Sequence, residues 1–591
     1  MKQFFKTVLA VMTAMTLFWT FAILIVVAAA VGGSEGGKKP LEEKTILKLD
    51  FSEAIADRGK ENPLAKFGAG DERAGLDEVL RALRHAAKDD KVAGIVMTPR
   101  LVQMGMASSQ AVRQELVNFR KSGKFVKAFG DVMTEGAYYL ASAADEIYLA
   151  PEGIVEINGL GGSQAFLKGM FAKLEIEPQI FRVGTYKAAV EPFILDKMSD
   201  ANREQTMALL NSVYGVMIKD MATSRKLAEA DMRRISDSML VRDAQTAKRL
   251  GVVDKVGYYD ELESWLRKKL DVKEEDKLHY MSLGSYIGRI DLKKEENKDG
   301  DDDKRIAVIY AEGGITSGKS DEGIGSDDLV PVIRKARLDK KVKAIVLRVN
   351  SPGGDALASD LIWREVVLAN KVKPVVVSMG DVAASGGYYI AMGARKIFAQ
   401  PNTITGSIGV FGMFFNVGPF FTNKMGITFD RVTTGTFSDY PEASRKLTPA
   451  EGALTQRFID QIYGTFTTKA AEGRKMPVEQ LRAVAEGRVW SGTDAKRIGL
   501  IDELGTLDDA VAEAAKMAKL GKDDYKLRRM PEQKDMFEDL IKDLTGESDD
   551  AKAQALVKLL GPEQAKAVQL YLNAQKLQGI QARLPFEVEW R

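Results

Sequence analysis

The 591-residue chain contains no cysteine and only two histidines. Without thiols it has no cysteine nucleophile, no disulfide framework and no zinc-thiolate site. His85 lies in a stretch with helical periodicity, His279 follows a charged run, and neither adjoins a chemical motif. These absences argue against a Ser-His-Asp triad and against a histidine-rich metal site. A hydrolase built from this sequence must therefore use another base.

An excess of charge of one sign is also missing. The formal net charge is +2, and no dominant basic block stands out, so the composition gives no indication of a nucleic-acid partner. The glycines do not form a GxGxxG pattern that would cradle a dinucleotide, and the tripeptide GKS occurs at residues 318–320. We therefore expect no cofactor and no metal.

The N-terminal residues 7–31 contain no charged side chain. As a helix, this stretch would exceed the roughly 30 Å of a bilayer core, whereas a cleavable signal usually has an apolar core of about 7–15 residues. Lys2 and Lys6 favour a cytoplasmic N-terminus. The sequence predicts a single-pass signal anchor with the bulk of the chain outside the cytoplasm. Cleavage near Ala28–Ala30 remains an alternative.

One long sequence pattern occurs twice. GDVMTEGAYYLA begins at residue 130, and GDVAASGGYYIA begins 250 residues later. Where the second copy has Ser385 the first has Glu135, and where the first has Lys187 the second has Ser438. One copy thus keeps a possible nucleophile and the other a possible base. Either both copies are inactive half-sites, or one active site is built across them, and we favour the second interpretation.

Each copy alternates short apolar runs with amphipathic helical patterns. The second copy predicts strands at RIAVIYA, AIVLRVN, PVVVSM and KIFAQ, and helices at LVPVIRKARLD and ASDLIWREVVLANK. The first copy predicts strands at TILKLDF, GIVMTP, FVKAF and EIYLA. Near-continuous apolar strands separated by helices indicate an α/β fold with mostly parallel sheets.

The domain organisation follows from these patterns. The charge-dense segment between the copies indicates a linker. The sequence after about residue 520 lies outside the repeat and predicts helices. We predict five parts: the anchor at 7–31, a first repeat at 45–292, a linker at 293–304, a second repeat at 305–520 and a helical extension at 521–591.

Two loops of the second copy have the residues that acyl-transfer chemistry needs. In RVNSPGGDA, paired glycines at the end of a strand allow a sharp turn and leave amide groups free to face an oxyanion. In VSMGDVAASGGYY, Ser385 lies among small residues after another strand. Each loop alone is equally consistent with an ordinary turn. Together with TITGSIGVFG they form a more specific set.

The combination of NSPGG, GDVAASGGYY, TGSIGVFG and VGTYKAAVEPF resembles the signal peptide peptidase A family in its long, duplicated bacterial form. The resemblance extends from the N-terminal anchor to about residue 520. It implies two tandem ClpP/crotonase-like repeats and a serine endopeptidase with a Ser/Lys dyad. It assigns Ser385 as nucleophile, Lys187 as general base and Ser407 as a hydroxyl that positions the lysine, and it places the oxyanion hole at the amides of Gly354 and Gly386.

The same resemblance implies a substrate and a location. Family members are anchored in the bacterial inner membrane and degrade remnant signal peptides, and the duplicated form is expected to be a homotetramer. Two alternatives remain open, namely a crotonase-type enzyme acting on acyl-CoA thioesters and a catalytically silent membrane scaffold. The sequence also leaves open whether Ser385 meets Lys187 within one chain or between chains.

Overall fold

The computed structural model describes residues 41–59, 74–290, 301, 303–321, 323–522, 524–531 and 579–583. The predicted anchor at 7–31 lies outside these residues, as do most of the predicted linker and most of the predicted helical extension. Across the described ranges, no helix combines the length and the apolar character that a membrane crossing requires.

The first repeat is built on a parallel sheet of six strands in the order β6-β4-β3-β2-β1-β7. Its central strands are mostly buried, as near-continuous apolar sequence in a parallel sheet requires. A seventh strand of this repeat, β5, belongs to a different sheet. The strands are β1 (Thr45–Leu49), β2 (Val92–Met97), β3 (Phe125–Met133), β4 (Glu146–Val155), β5 (Glu177–Val183), β6 (Lys255–Val256) and β7 (Tyr280–Ser282).

Helices cover this sheet and bury their apolar faces against it. A short 3-10 turn at Ala188–Val190 follows β5. The α-helices are α1 (Leu76–Lys88), α2 (Met106–Arg120), α3 (Glu135–Ala141), α4 (Lys168–Leu174), α5 (Glu191–Ile194), α6 (Asp200–Arg225), α7 (Glu229–Asp237), α8 (Ala244–Arg249), α9 (Tyr259–Leu270) and α10 (Leu283–Ile287).

The second repeat has an eight-stranded, mostly parallel sheet of its own. Six strands follow the order β17-β15-β13-β11-β8-β19, and β14 with β18 extends from β13. The strands from Arg305 onward are β8 (Arg305–Glu312), β9 (Ile315–Thr316), β10 (Ile324–Gly325), β11 (Val342–Ser351), β12 (Gly353–Asp355), β13 (Val375–Ala384), β14 (Lys396–Ala399), β15 (Ile404–Gly406), β16 (Val410–Asn416), β17 (Val489–Ser491), β18 (Glu503–Leu504) and β19 (Lys526–Met530).

Seven α-helices accompany these strands within the described ranges, and a π-helical turn occupies Phe420–Lys424. The α-helices are α11 (Ser326–Leu338), α12 (Ala356–Val372), α13 (Gly386–Ala391), α14 (Pro449–Arg474), α15 (Val478–Val484), α16 (Gly492–Arg497) and α17 (Leu507–Met517).

A third sheet joins the two repeats. Its strand order is β10-β9-β12-β20-β16-β5, where β20 is the C-terminal strand Gly579–Arg583. Strand β5 of the first repeat pairs antiparallel with β16 of the second over seven residues, from Val183 opposite Val410 to Glu177 opposite Asn416. This pairing fixes the position of the first repeat's residues after β5 relative to the second repeat.

A buried ion pair also connects the repeats. Arg348 on β11 donates from Nη2 to Asp57 Oδ1 at 2.8 Å and from Nε to Asp57 Oδ2 at 3.0 Å, and both side chains are almost fully buried. Nearby, the backbone amide of Ser108 donates to Asp381 Oδ1 at 2.8 Å. Polar groups removed from water are thus paired across the boundary between the repeats.

The predicted α/β fold with duplicated, mostly parallel sheets is confirmed. Every quoted apolar run forms a strand, and both quoted amphipathic runs form helices. The sheet of the second repeat, however, continues beyond residue 520, because Lys526–Met530 pairs with Arg305–Ile309 and buries Met530. We predicted helices for residues 521–591, but the regular elements that the structure describes there are strands.

Candidate active site

Ser385 occupies the sharp turn between strand β13 and helix α13. Its backbone dihedrals are φ 55° and ψ −113°, a region that non-glycine residues rarely adopt. Its amide donates a hydrogen bond to the carbonyl of Gly406 at 2.8 Å, and its carbonyl accepts one from the amide of Tyr389 at 2.8 Å. Hydrogen bonds therefore hold the turn on both sides of Ser385.

Lys187 reaches this turn from the first repeat. It lies three residues after a tight glycine, Gly184, which follows strand β5, and its amide donates to the Gly184 carbonyl at 3.1 Å. Because β5 is paired with β16, the lysine is brought next to the segment that precedes β16. That segment contains Ser407, whose amide donates to the carbonyl of Arg488 at 2.7 Å.

Three oxygen atoms surround the lysine nitrogen. Lys187 Nζ lies 2.8 Å from Ser385 Oγ, 3.1 Å from Ser407 Oγ and 3.1 Å from the Ser407 carbonyl oxygen. All three side chains are 0% exposed. The structure therefore brings Ser385, Lys187 and Ser407 together within one chain.

Burial disfavours a charge on this lysine. Its pKa is lowered well below the ordinary lysine value, and the physical cause is desolvation of the ammonium form. Among the residues that the structure describes, no carboxylate forms an ion pair with Lys187 to offset this cost. A neutral amine is the form that can accept a proton.

The loop that contains Gly353 and Gly354 lies beside the turn that contains Ser385. Gly353 and Gly354 have φ values of +98° and +156°, so a side chain at either position would strain the backbone. A Cβ built on Gly353 would lie 2.7 Å from the amide nitrogen of Gly386. The loop and the first residue of α13 thus line one wall of the space next to Ser385.

Glu135 in the first repeat is at the position equivalent to Ser385, and Ser438 in the second repeat is at the position equivalent to Lys187. Glu135 is buried at the start of α3 and accepts hydrogen bonds from the Gly159 amide at 2.8 Å and the Tyr214 hydroxyl at 2.7 Å. Burial raises the pKa of this carboxyl above its usual value. Ser438 is exposed and donates to the carbonyl of Gly435 in its own loop. Neither residue contacts the Ser385–Lys187 cluster.

The sequence argues against a histidine as the base, and both histidines contact residues outside the cluster of Ser385, Lys187 and Ser407. His85 Nδ1 lies 2.5 Å from the hydroxyl of Tyr286, and His279 pairs with Glu42. Both contacts lie on the N-terminal side of the predicted linker.

Two residues that sequence analysis did not identify restrict the position of Lys187. Buried Gln205 on α6 donates from Nε2 to the Tyr186 carbonyl at 2.9 Å and accepts at Oε1 from the Val489 amide at 3.2 Å. Gly487 has φ +77°, and a Cβ built there would lie 2.7 Å from Lys187 Cβ. Neither residue belongs to a motif. Their roles arise only from the contact between the repeats.

A strained serine, a buried amine and a glycine loop lie next to one another at this turn, an arrangement that suits serine hydrolase chemistry. The sequence comparisons point to a serine protease. Peptidase family S49 matches residues 118–273 and 368–521. The first range contains Lys187, and the second contains Ser385 and Ser407.

Full-length relatives support the same assignment. Protease 4 of Salmonella typhi is 37% identical and covers 86% of this chain and 84% of its own length. Protease 4 of Haemophilus influenzae is 32% identical over 94% of this chain and 93% of its own. The chloroplastic serine protease SPPA of Arabidopsis thaliana is 33% identical over 80% of this chain and 69% of its own. The chain belongs to peptidase family S49 and is a serine protease.

Proposed function

We propose that Ser385 and Lys187 form the catalytic dyad of an endopeptidase whose single active site is shared by the two repeats. The observation that carries this proposal is the 2.8 Å separation between Lys187 Nζ and Ser385 Oγ in a fully buried setting. Family membership establishes the serine protease class, and the geometry supports these two residues as its reacting groups.

The contacts around Lys187 suit a neutral amine. A primary amine has two N–H donors and one lone pair, so it can donate to the Ser407 carbonyl and to the Ser407 hydroxyl. The lone pair is then free to accept the proton of Ser385. Ser407 acts in this proposal as the group that orients the base.

The reaction proceeds through an acyl-enzyme. Lys187 takes the proton from Ser385, and Oγ attacks the scissile carbonyl carbon to give a tetrahedral oxyanion. The amides of Gly354 and Gly386 donate to that oxyanion. The Lys187 ammonium protonates the departing amine, and a water molecule, activated by the same lysine, hydrolyses the ester.

The substrates that we propose are extended apolar peptides, with signal peptides as the natural source. The motifs of the chain resemble those of signal peptide peptidase A. An apolar cluster that includes Phe171, Phe193 and Phe415 also lies on and beside β16, next to a surface cavity of about 410 Å³. Lys168, Glu175 and Glu177 line the same cavity, and its apolar part suits apolar side chains of a peptide.

We further propose that residues 7–31 anchor the protein in the bacterial inner membrane, with both repeats on the extracytoplasmic side and four chains in the assembly. The uncharged 25-residue stretch supports the anchor. Protease digestion of spheroplasts and the molar mass of detergent-solubilised protein test these two statements. A protected catalytic region or a monomer would contradict the corresponding one.

The dyad is tested with a quenched peptide rich in alanine and leucine. Ser385→Ala and Lys187→Met are each expected to lower its hydrolysis by roughly 10⁴-fold or more, with the circular dichroism spectrum unchanged. Ser438→Ala, at the equivalent position of Lys187 in the other repeat, is the matched control and should keep full activity. Substantial hydrolysis by either dyad variant would contradict the assignment.

A further inference from the structure

Helix α2 of the first repeat begins without a capping side chain of its own. Its N-cap residue is Gly105, which has extended dihedrals of φ −65° and ψ 164° and no side chain to accept a hydrogen bond. The amides in the first turn of a helix have no partner within the helix and need an acceptor from elsewhere. The second repeat supplies it, because the amide of Ser108 donates to Asp381 Oδ1 at 2.8 Å and the Ser108 hydroxyl donates to Asp381 Oδ2.

The corresponding helix of the second repeat is capped differently. An offset of 250 residues aligns α2 with α12, which begins at Ala356, and aligns Gly105 with Asp355. Asp355 caps its own helix, because its Oδ1 accepts from the amide of Ala358 at 2.7 Å. A Cβ built on Gly105, by contrast, would collide with the Asp381 carboxylate. The glycine therefore leaves the space in which a residue of the other repeat caps α2.

Asp381 lies on the strand that ends at Ser385. It is the seventh residue of β13, and Ser385 follows four residues later. Between them, the amide of Val382 donates to Asn350 Oδ1 at 3.1 Å, and Ala384 is buried in the apolar cluster that forms the core of the first repeat. Because packed elements transmit displacements, a shift of Asp381 relative to α2 would also move Ser385.

The distance between Ser385 and Lys187 depends on how the two repeats are placed against each other. The β5–β16 pairing holds the residues before Lys187 against the second repeat. One line of contact leaves a rotation about that line, so a further contact is needed to fix the distance. The cap between Asp381 and α2 is such a contact, and it acts on the strand that carries the serine.

We propose that Asp381 is a positioning residue that caps helix α2 across the boundary between the repeats and so holds Ser385 within hydrogen-bonding distance of Lys187. This inference rests on the proposed function of those two residues. Asp381 acts through the strand and does not touch the substrate. Its loss should therefore lower kcat and leave KM nearly unchanged.

The test measures kcat and KM for the quenched alanine- and leucine-rich peptide, together with the thermal midpoint of each variant. Asp381→Ala is expected to lower kcat roughly 10–100-fold. Asp381→Asn should keep kcat near the wild-type value, because an asparagine side chain also accepts hydrogen bonds at a helix N-terminus. Asp131→Ala is the matched control and should not change kcat, because Asp131 has the same position in the first repeat and binds Arg100 instead.

A cap placed within the first repeat separates positioning from stability. When Gly105→Ser is combined with Asp381→Ala, the truncation frees the space beside residue 105, whose extended dihedrals suit a serine N-cap. We expect the double variant to recover the wild-type thermal midpoint, because α2 is capped again. Its kcat should stay as low as that of Asp381→Ala, because no side chain of β13 then binds α2. Recovery of kcat together with the midpoint would show that Asp381 only stabilises the helix and would overturn the proposal.

The outcomes separate this inference from the proposed function when Ser385→Ala is measured in the same assay. Loss of hydrolysis in Ser385→Ala with a normal kcat in Asp381→Ala would overturn the positioning role and leave the dyad in place. A raised KM with an unchanged kcat in Asp381→Ala would have the same meaning. Undiminished hydrolysis in Ser385→Ala would overturn the dyad together with this inference.

Discussion

Lys187 Nζ lies 2.8 Å from Ser385 Oγ, although 198 residues separate the two in sequence. The lysine belongs to the first repeat and the serine to the second, and the β5–β16 pairing holds the two together. In the proposed dyad, each repeat supplies one residue. The equivalent positions in the other repeat hold Glu135, which supports a loop, and Ser438, which faces solvent.

The rate of peptide hydrolysis should rise with pH. Because burial lowers the pKa of Lys187, the base becomes neutral at a pH well below that of an ordinary lysine, and kcat/KM should rise through that folded pKa. Measurement of kcat/KM from pH 5 to 9 with the quenched peptide checks this. A profile that is flat over the whole range would argue against Lys187 as the base.

Removal of the buried amine should stabilise the protein at neutral pH. In the wild type, folding releases the Lys187 proton at any pH between the lowered folded pKa and the unfolded value near 10.4, so the wild-type free energy of unfolding gains about 1.4 kcal/mol per pH unit in that window. Lys187→Met lacks this contribution. Its stability advantage should therefore shrink as pH rises towards 10, as measured by paired urea titrations at pH 7, 8 and 9. A pH-independent difference would show that the folded lysine keeps its proton.

Loss of Gln205 should impair catalysis rather than binding. Gln205→Leu leaves the Tyr186 carbonyl and the Val489 amide without their side-chain partner, so the lysine is no longer fixed opposite Ser385. We expect kcat to fall roughly 10–100-fold with little change in KM. Gln114→Leu, on an exposed side chain of α2, is the control. A rise in KM with normal kcat would contradict a positioning role.

The glycine that faces the lysine should tolerate no side chain. Gly487→Ala would place a Cβ 2.7 Å from Lys187 backbone and Cβ atoms, and kcat should drop. Gly318→Ala is the matched control, because its φ of +79° imposes the same backbone strain while nothing lies within 4 Å of the added carbon. Comparison of both activities and both thermal midpoints separates strain from displacement of the lysine. Equal losses in the two variants would contradict our interpretation.

The buried ion pair between the repeats should matter for stability. Arg348→Met leaves Asp57 buried and uncompensated, which costs roughly 3–5 kcal/mol. Arg100→Met removes an exposed ion pair with Asp131 and should change the unfolding free energy by less than about 1 kcal/mol. Guanidinium titrations followed by fluorescence measure both. Similar small effects would show that the buried pair does not hold the repeats together.

The regular elements follow from local sequence. Runs such as AIVLRVN and PVVVSM are mostly apolar, as strands of a parallel sheet with both faces covered usually are, so the strands could be predicted without the fold. Strand Lys526–Met530 could not be predicted from its sequence. Its run KLRRM is charged at three of five positions, and only pairing with β8 makes it a strand.

By itself, the sequence determined the duplication, the α/β class and the positions at which a serine and a lysine survive in complementary copies. The tertiary structure decided that the two meet within one chain, that Gln205 and Gly487 hold the lysine, and that Ala582 pairs with Gly354. The physical reason is the distance along the sequence over which each kind of interaction acts. Periodicity and turn chemistry act over a few residues, whereas burial of Lys187 and the β5–β16 pairing depend on surfaces that exist only after both repeats have folded.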